Sequence, residues 1–347
     1  MSAAASFKIT RATPESRIAA VVGSIVVVGL AAAQLWLDRN VISIAGQMLV
    51  YVGLASLWNL LAGYGGLVSV GQQAYVGMGA YLLFAGGILF GVPPLLAVPL
   101  AGLAAGLLAL PVSVLVFRLR GAYFAIGTWV VAEVFRLVAA QMTLLGGGSG
   151  VSLPIAIVKT IGSTREIREY VIYECTLAVG LLILAGIFFI TRSRWGLALQ
   201  AIRDNEIAAE SSGVDVASAK RLLYVAAAAG AAMLGALIGL AKLRISPDAL
   251  FSVNDWTAYV IFITVIGGIG RIEGPILGTI IFFALRETLS DLGPTYLIAL
   301  GAVAVVTMLF APRGVYGYFA DRFHIQLFPI ARRVKIDAPV TDGVKNG

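Results

Sequence analysis

Pro94-Leu95-Leu96-Ala97-Val98-Pro99-Leu100-Ala101-Gly102-Leu103-Ala104-Ala105-Gly106-Leu107-Leu108-Ala109-Leu110-Pro111-Val112-Ser113-Val114-Leu115-Val116-Phe117 is a run of 24 residues without a charged side chain. As an α-helix it would measure about 36 Å, longer than the roughly 30 Å hydrocarbon core of a bilayer. Further apolar segments lie at 18–37, 41–62, 74–91, 122–142, 171–191, 221–241, 256–270, 275–290 and 294–311. Most reach the roughly 20 residues that a crossing requires. The expected fold class is therefore all-α, a polytopic transmembrane helical bundle of about ten membrane segments. The segments 256–270 and 275–290 are short and are joined by Gly267-Gly268-Ile269-Gly270-Arg271-Ile272-Glu273-Gly274-Pro275. They read either as two tilted spans or as a re-entrant hairpin.

Composition agrees. Of 347 residues, 59% are hydrophobic and 12% charged, half the roughly 25% charge of soluble domains. The 40 glycines suit helices that pack closely in lipid. The net charge is +7, but the cations sit in loops between apolar segments. With the N-terminus in the cytoplasm, seventeen Lys and Arg fall inside and six outside. That bias predicts two cytoplasmic termini and an even number of spans. No basic patch is interleaved with aromatics, which argues against nucleic acid. A lone Cys175 and a lone His324 exclude an intramolecular disulfide and a His/Cys metal cluster. Residues 1–33 mimic a signal peptide, yet the first span must remain if the loops are to obey the charge bias. The chain thus divides into a cytoplasmic segment 1–17, a transmembrane domain 18–311 carrying a cytoplasmic excursion at 192–220, and a polar cytoplasmic tail 312–347, expected to be partly disordered.

Four places bear on chemistry. There is no G-x-x-x-x-G-K-[ST], so no P-loop is expected in this chain. Energy must come from an ion gradient or a separate motor, unless the path is passive. Ion-driven carriers place lone acids in the membrane. Here Glu133 stands three residues before Arg136, and Glu287 follows Arg286, so both read as paired acids, with a pathway role left open for Glu133. The uncharged segment Gly63–Tyr81 interrupts the apolar pattern with glycines and amides. Irregular backbone at membrane depth is tolerated only beside protein or a water-filled cavity. Ser69, Gln72, Gln73 and Tyr75 are therefore candidates to line a path for a polar solute without net charge; the competing reading is a tight turn packed through glycine. Finally, Arg203-Asp204-Asn205-Glu206-Ile207-Ala208-Ala209-Glu210-Ser211-Ser212-Gly213-Val214 is a polar stretch with helical logic. Asn205 can cap it, Glu206 suits its positive end and Gly213 a left-handed stop. It is either a docking surface or a solvated connector.

Asn59-Leu60-Leu61-Ala62-Gly63-Tyr64-Gly65-Gly66-Leu67-Val68-Ser69-Val70-Gly71-Gln72 resembles the N-L-L-x-G-Y-x-G-L-x-S-x-G-H pattern of LivM-type permease subunits of branched-chain amino-acid ABC importers. Three more stretches carry the likeness in order. They are Arg118–Ala125, then Ser193-Arg194-Trp195-Gly196 through Ala201–Glu206 to Gly213, and Gly267–Pro275 with Arg313-Gly314. One departure is Gln72, where many relatives have His; Gln cannot titrate.

The resemblance implies a transport subunit, not an enzyme, in a bacterial inner membrane. It translocates a small solute by ATP-driven alternating access. Branched-chain amino acids are the default; urea, short amides and other amino acids remain open. Implied partners are a second, LivH-like permease, two cytoplasmic ATPases that bind the ATP, a periplasmic solute-binding protein and membrane lipid. No cofactor or metal is expected in this chain. Arg203, Glu206, Ala208, Ala209 and Gly213 become the coupling residues facing an ATPase. An ion-coupled secondary transporter is the rival, disfavoured by the absence of an unpaired intramembrane acid.

Overall fold

A computed structural model describes residues 7–10, 14–289, 295–311, 313–323 and 333–336. The chain is a bundle of α-helices. α1 (Pro14–Ala31) leads into α2 (Arg39–Asn59), which ends in a wider turn of π-helix at Leu60–Tyr64. Then come α3 (Gln72–Phe90), α4 (Pro94–Val116), α5 (Ala122–Gln141), a short α6 (Ile155–Lys159) and the long α7 (Arg165–Arg192). Two polar helices, α8 (Arg194–Asp204) and α9 (Glu206–Ser211), precede α10 (Val216–Lys242). α11 (Pro247–Leu250), a π-turn at Asn254–Ala258 and α12 (Tyr259–Gly267) form one broken span, followed by α13 (Glu273–Leu289), α14 (Tyr296–Phe310) and α15 (Gly314–Phe323). Among the described residues, eight helical stretches are long and apolar enough to cross a membrane: 39–64, 72–90, 94–116, 122–141, 165–192, 216–242, 247–267 and 297–318. α1 and α13 are shorter. The segments 256–270 and 275–290 fall on two helices packed side by side, α12 and α13.

The bundle is built around α10. It packs against α2, α3, α4 and α7 and buries Ala227, Ala228, Gly230, Ala231, Ala232, Leu234, Gly235 and Ala236. The approach of α3 is so close that a Cβ on Gly79 would overlap the Ala232 carbonyl, and one on Gly235 the Val76 carbonyl. Small residues let backbones meet, which is how helices gain dispersion energy in lipid where the hydrophobic effect no longer drives them together. α4 shows the resulting inversion. Its small residues Ala97, Ala101, Gly102, Ala105, Gly106 and Ala109 face inward, while Leu96, Leu100, Leu103, Leu107 and Leu115 face out.

Two short strand pairs close the architecture. β2 (Val151–Ser152) pairs antiparallel with β3 (Arg244–Ile245), tying the α5–α7 and α10–α12 connections together. β1 (Phe7–Thr10) pairs antiparallel with β4 (Arg333–Ile336), which joins a segment ahead of α1 to one after α15. The tail beyond 312 includes the helical α15. α7 begins at Arg165 and α10 at Val216, each earlier than its apolar segment. Helical geometry runs past the point where the residues turn polar.

Candidate functional site

Between α2 and α3 the chain leaves helical geometry. The π-turn at Leu60–Tyr64 closes with Gly65 N–H donating to the Leu60 and Leu61 carbonyls. Residues 65–71 then run irregularly until α3 starts at Gln72. This stretch turns back into the bundle. Trp58 Nε1 donates to the Ser69 carbonyl at 2.8 Å, and Gln72 Nε2 to the Leu54 carbonyl at 2.8 Å. Leu54 lies ten residues before Tyr64, about 15 Å along a helix. The N-terminal end of α3 therefore starts at depth, inside protein, as irregular backbone in a membrane must. Val70 N–H donates to Thr128 Oγ1 of α5 at 3.0 Å, and a Cβ on Gly71 would strike the Thr128 carbonyl. That glycine is required by close approach.

An uncharged polar cluster gathers there. Gln73 is 1% exposed and Gln72 6%. Thr257, in the π-turn ahead of α12, donates its hydroxyl to Gln73 Oε1. Tyr75 OH bonds Tyr224 OH of α10 at 3.1 Å. Ser69 Oγ accepts from Gly71 N–H at 3.2 Å. Among the described residues each amide is half satisfied: Gln72 Oε1 and Gln73 Nε2 find no hydrogen-bond partner there, nor does Ser56 Oγ on α2. A buried polar atom without a partner costs free energy, and such atoms are expected where a solute or water visits. Glu133 does not join this cluster. Its carboxylate takes the Arg136 guanidinium at 2.6 Å, and Arg136 also reaches Asp248 at 2.7 Å.

A second junction forms at the end of α2. Asn59 is 2% exposed and uses both ends of its amide. Nδ2 donates to the Arg271 carbonyl at 2.8 Å, and Oδ1 accepts from Gly270 N–H at 2.7 Å. The Gly268–Arg271 connection between α12 and α13 is thereby clasped to α2. Gly63 sits against it: a Cβ there would come within 2.5 Å of both Asn59 Oδ1 and Gly270 N. Arg203, at the end of α8, donates from a guanidinium nitrogen to the Gly63 carbonyl at 3.0 Å.

The polar excursion holds two helices, divided at the expected Asn205 cap. α8 runs through Asp204, and the chain breaks at Asn205, whose extended backbone and Oδ1 cap α9 by accepting from Ala208 N–H at 3.1 Å. Gly213 stops the segment at φ +84°, a conformation that non-glycine residues rarely take. Glu206 pairs with Lys220 of α10 at 2.7 Å. Asp215 caps α10. The Ser218 hydroxyl and N–H, both bonding that carboxylate, hold it below the usual carboxylate range. Of the small residues in α9, Ala209 is buried against the bundle whereas Ala208 is exposed. The outward face carries Ile207, 77% exposed. Beside it lies a cleft of about 710 Å³ bounded by Gly66–Val68, the Phe117–Gly121 turn, Glu206, Glu210 and the start of α10.

Sequence reasoning singled out the residues of the amide cluster and of the excursion. It missed Asn59 and Thr257. A lone Asn in an apolar span is the signal that would have found the first; a threonine among apolar residues offers none.

Comparison with known proteins fits this geometry. Residues 40–312 match the family described as branched-chain amino acid transport system / permease component. The chain is 28% identical over 301 residues to the high-affinity branched-chain amino acid transport system permease protein LivM of Escherichia coli, covering 80% of this chain and 70% of that one. It is 27% identical to the LivM protein of Salmonella typhimurium with the same coverage. To a probable branched-chain amino acid transport permease protein LivM of Methanocaldococcus jannaschii it is 24% identical over 173 residues, half of this chain and 49% of that one. No solved structure gives a significant match.

Proposed function

Because the chain belongs to the branched-chain amino acid transport system permease family, we propose that it is one of two membrane subunits of an ABC importer that admits branched-chain amino acids by ATP-driven alternating access. The relatives named for that transport support the solute class. The observation that carries the mechanism is α9. A capped polar helix projects from an apolar bundle and offers one large apolar side chain, Ile207, beside a small one, Ala208, and an open cleft. A motor subunit would seat there. ATP binds on two such cytoplasmic ATPases, and this chain supplies the path.

In this reading the amide cluster lines the path. Gln72 Oε1 offers an acceptor and Gln73 Nε2 a donor, with no net charge, which suits a zwitterion. The same neutrality suits urea or a short amide, the second reading. Ser69 and Tyr75 complete the lining, while Glu133, already neutralised by Arg136, shapes the outer end. A LivH-like permease and lipid would cover the apolar faces of α4, α5 and α14, and a periplasmic solute-binding protein would deliver the solute. Both termini then lie in the cytoplasm of a bacterial inner membrane. The β1–β4 pairing supports placing them on one side, and the loop charges favour the cytoplasmic one.

The test is uptake by the assembled complex in vesicles. Labelled leucine should accumulate only with hydrolysable ATP, and excess urea should not compete. Accumulation driven by an ion gradient alone would contradict the proposal, and competition by urea would favour the second reading.

A further inference from the structure

Arg203 lies in the excursion proposed to face the motor, yet its guanidinium turns inward to the Gly63 carbonyl at 3.0 Å. A Cβ on Gly270 would meet the same guanidinium at 3.3 Å and the Gly63 carbonyl oxygen at 3.4 Å. Asn59 holds the Gly270–Arg271 backbone from the other side with two hydrogen bonds. Three chain segments thus converge on one point: the end of α2, the end of α8 and the α12–α13 connection. Three of the four stretches that carry the family likeness meet here. Each of the two converging connections leads into a broken span: α3, entered through the irregular stretch 65–71, and α12, preceded by the π-turn at Asn254–Ala258. From Gly63 the chain climbs to Gln72 and Gln73. From Gly268, α12 climbs to the π-turn with Thr257. Those upper ends are themselves joined, Thr257 to Gln73. The two broken spans are cross-linked at two levels, near the polar excursion and at the amide cluster.

We infer that Arg203 and Asn59 form a transmission joint, through which displacement of α8–α9 moves both broken spans together and so opens or closes the amide cluster. This rests on the reading of α9 as the motor contact. In this joint Arg203 is a positioning residue, acting through the Gly63 carbonyl and not on the solute. Its value lies in one charge-assisted bond to a main-chain carbonyl, a stronger class of hydrogen bond than a neutral pair. The glycines at 63 and 270 add no side chain of their own, so Arg203 and Asn59 reach main-chain groups directly, with little slack.

The experiment measures ATP hydrolysis and leucine uptake in the same vesicles containing the full complex. Arg203 is half exposed at a helix end, so its substitution should spare folding. Arg203→Ala is expected to leave hydrolysis near the parent rate while uptake per ATP falls at least about tenfold, the order of one charge-assisted hydrogen bond. Arg203→Lys and Arg203→Gln, which keep a donor, should recover part of the ratio. A structural defect would lower both activities together. An unchanged ratio in Arg203→Ala, a parallel fall of both quantities, or a loss of assembly that Arg203→Gln does not restore would each overturn the joint. Ala208→Trp separates the two readings. If it uncouples and Arg203→Ala does not, the joint alone is wrong; if neither has any effect, α9 is not the motor contact.

Discussion

Gln72 and Gln73 each have one end of a buried amide satisfied and the other free. They stood out in the sequence because amides are conspicuous in an apolar segment. Their partners did not, since Leu54 offers only a carbonyl and Thr257 lies 184 residues from Gln73. Asn59 shows the same limit more sharply, being bonded across 211 and 212 residues to main-chain groups that no side-chain pattern reveals. Gln73→Leu removes one interhelical bond, worth about 0.6–1.7 kcal/mol within a membrane. That is small enough for the complex to assemble. Reduced leucine uptake with normal assembly is therefore expected for Gln72→Leu and Gln73→Leu, and unchanged kinetics in both would remove the amides from the path. Asp215 gives a pH prediction. Its folded carboxylate titrates below the ordinary range because Ser218 bonds the ionised form. The cap thus stabilises α10 above the unfolded carboxylate value and is lost as pH falls through the lowered one. The protection factor of the Ser218 amide, its exchange rate corrected for intrinsic pH dependence, should hold at neutral pH and fall as the Asp215 carboxylate protonates, below the ordinary carboxylate range. In Asp215→Asn the protection factor should carry no such acid step.

Elements were legible where apolar runs were long, because a bilayer leaves the backbone little choice but helix. Their ends were not. Hydropathy stops at the first charges, so α7 and α10 were read short. The Asn205 cap and the Gly213 stop of α9 are legible in the sequence, because both residue types signal a helix end; the separate helix α8 ahead of the cap is not. Asn205 divides the two by offering its side chain to Ala208 N–H in place of a continuing turn. That break orients α9 so that Ala209 faces the bundle and Ala208 faces away, a distinction the two identical residue types could not announce. Abundant glycine announces close helix packing in general, but the pairing of α3 with α10 is a tertiary fact. Gly235→Leu would drive a side chain into the Val76 carbonyl. Overpacking of this kind costs about 1–3 kcal/mol or more, so the yield of folded, detergent-stable permease should drop. Gly186→Leu, with open space around it, should be tolerated. Equal yields for both would mean that α3 and α10 do not approach this closely.

At the scale of the molecule, composition alone established a helical membrane protein, and the loop charges proposed its orientation. Among the described residues eight helical stretches have full crossing length, against the ten apolar segments drawn from the sequence. Orientation is tested on a Cys175→Ser background. A cysteine at Ser163 should react with an impermeant reagent from outside, and one at Ser212 only after the membrane is opened. The opposite pattern would invert the molecule and move α9 away from any cytoplasmic motor. The most direct measurement is site-specific photo-crosslinking in the assembled complex, with the crosslinker placed at Ala208 in one preparation and at Ala209 in another. Adducts with the ATPase from position 208, and none from the inward-facing 209, are predicted. No ATPase adduct from 208 in a complex that hydrolyses ATP and transports leucine would contradict the claim that work enters this permease through α9.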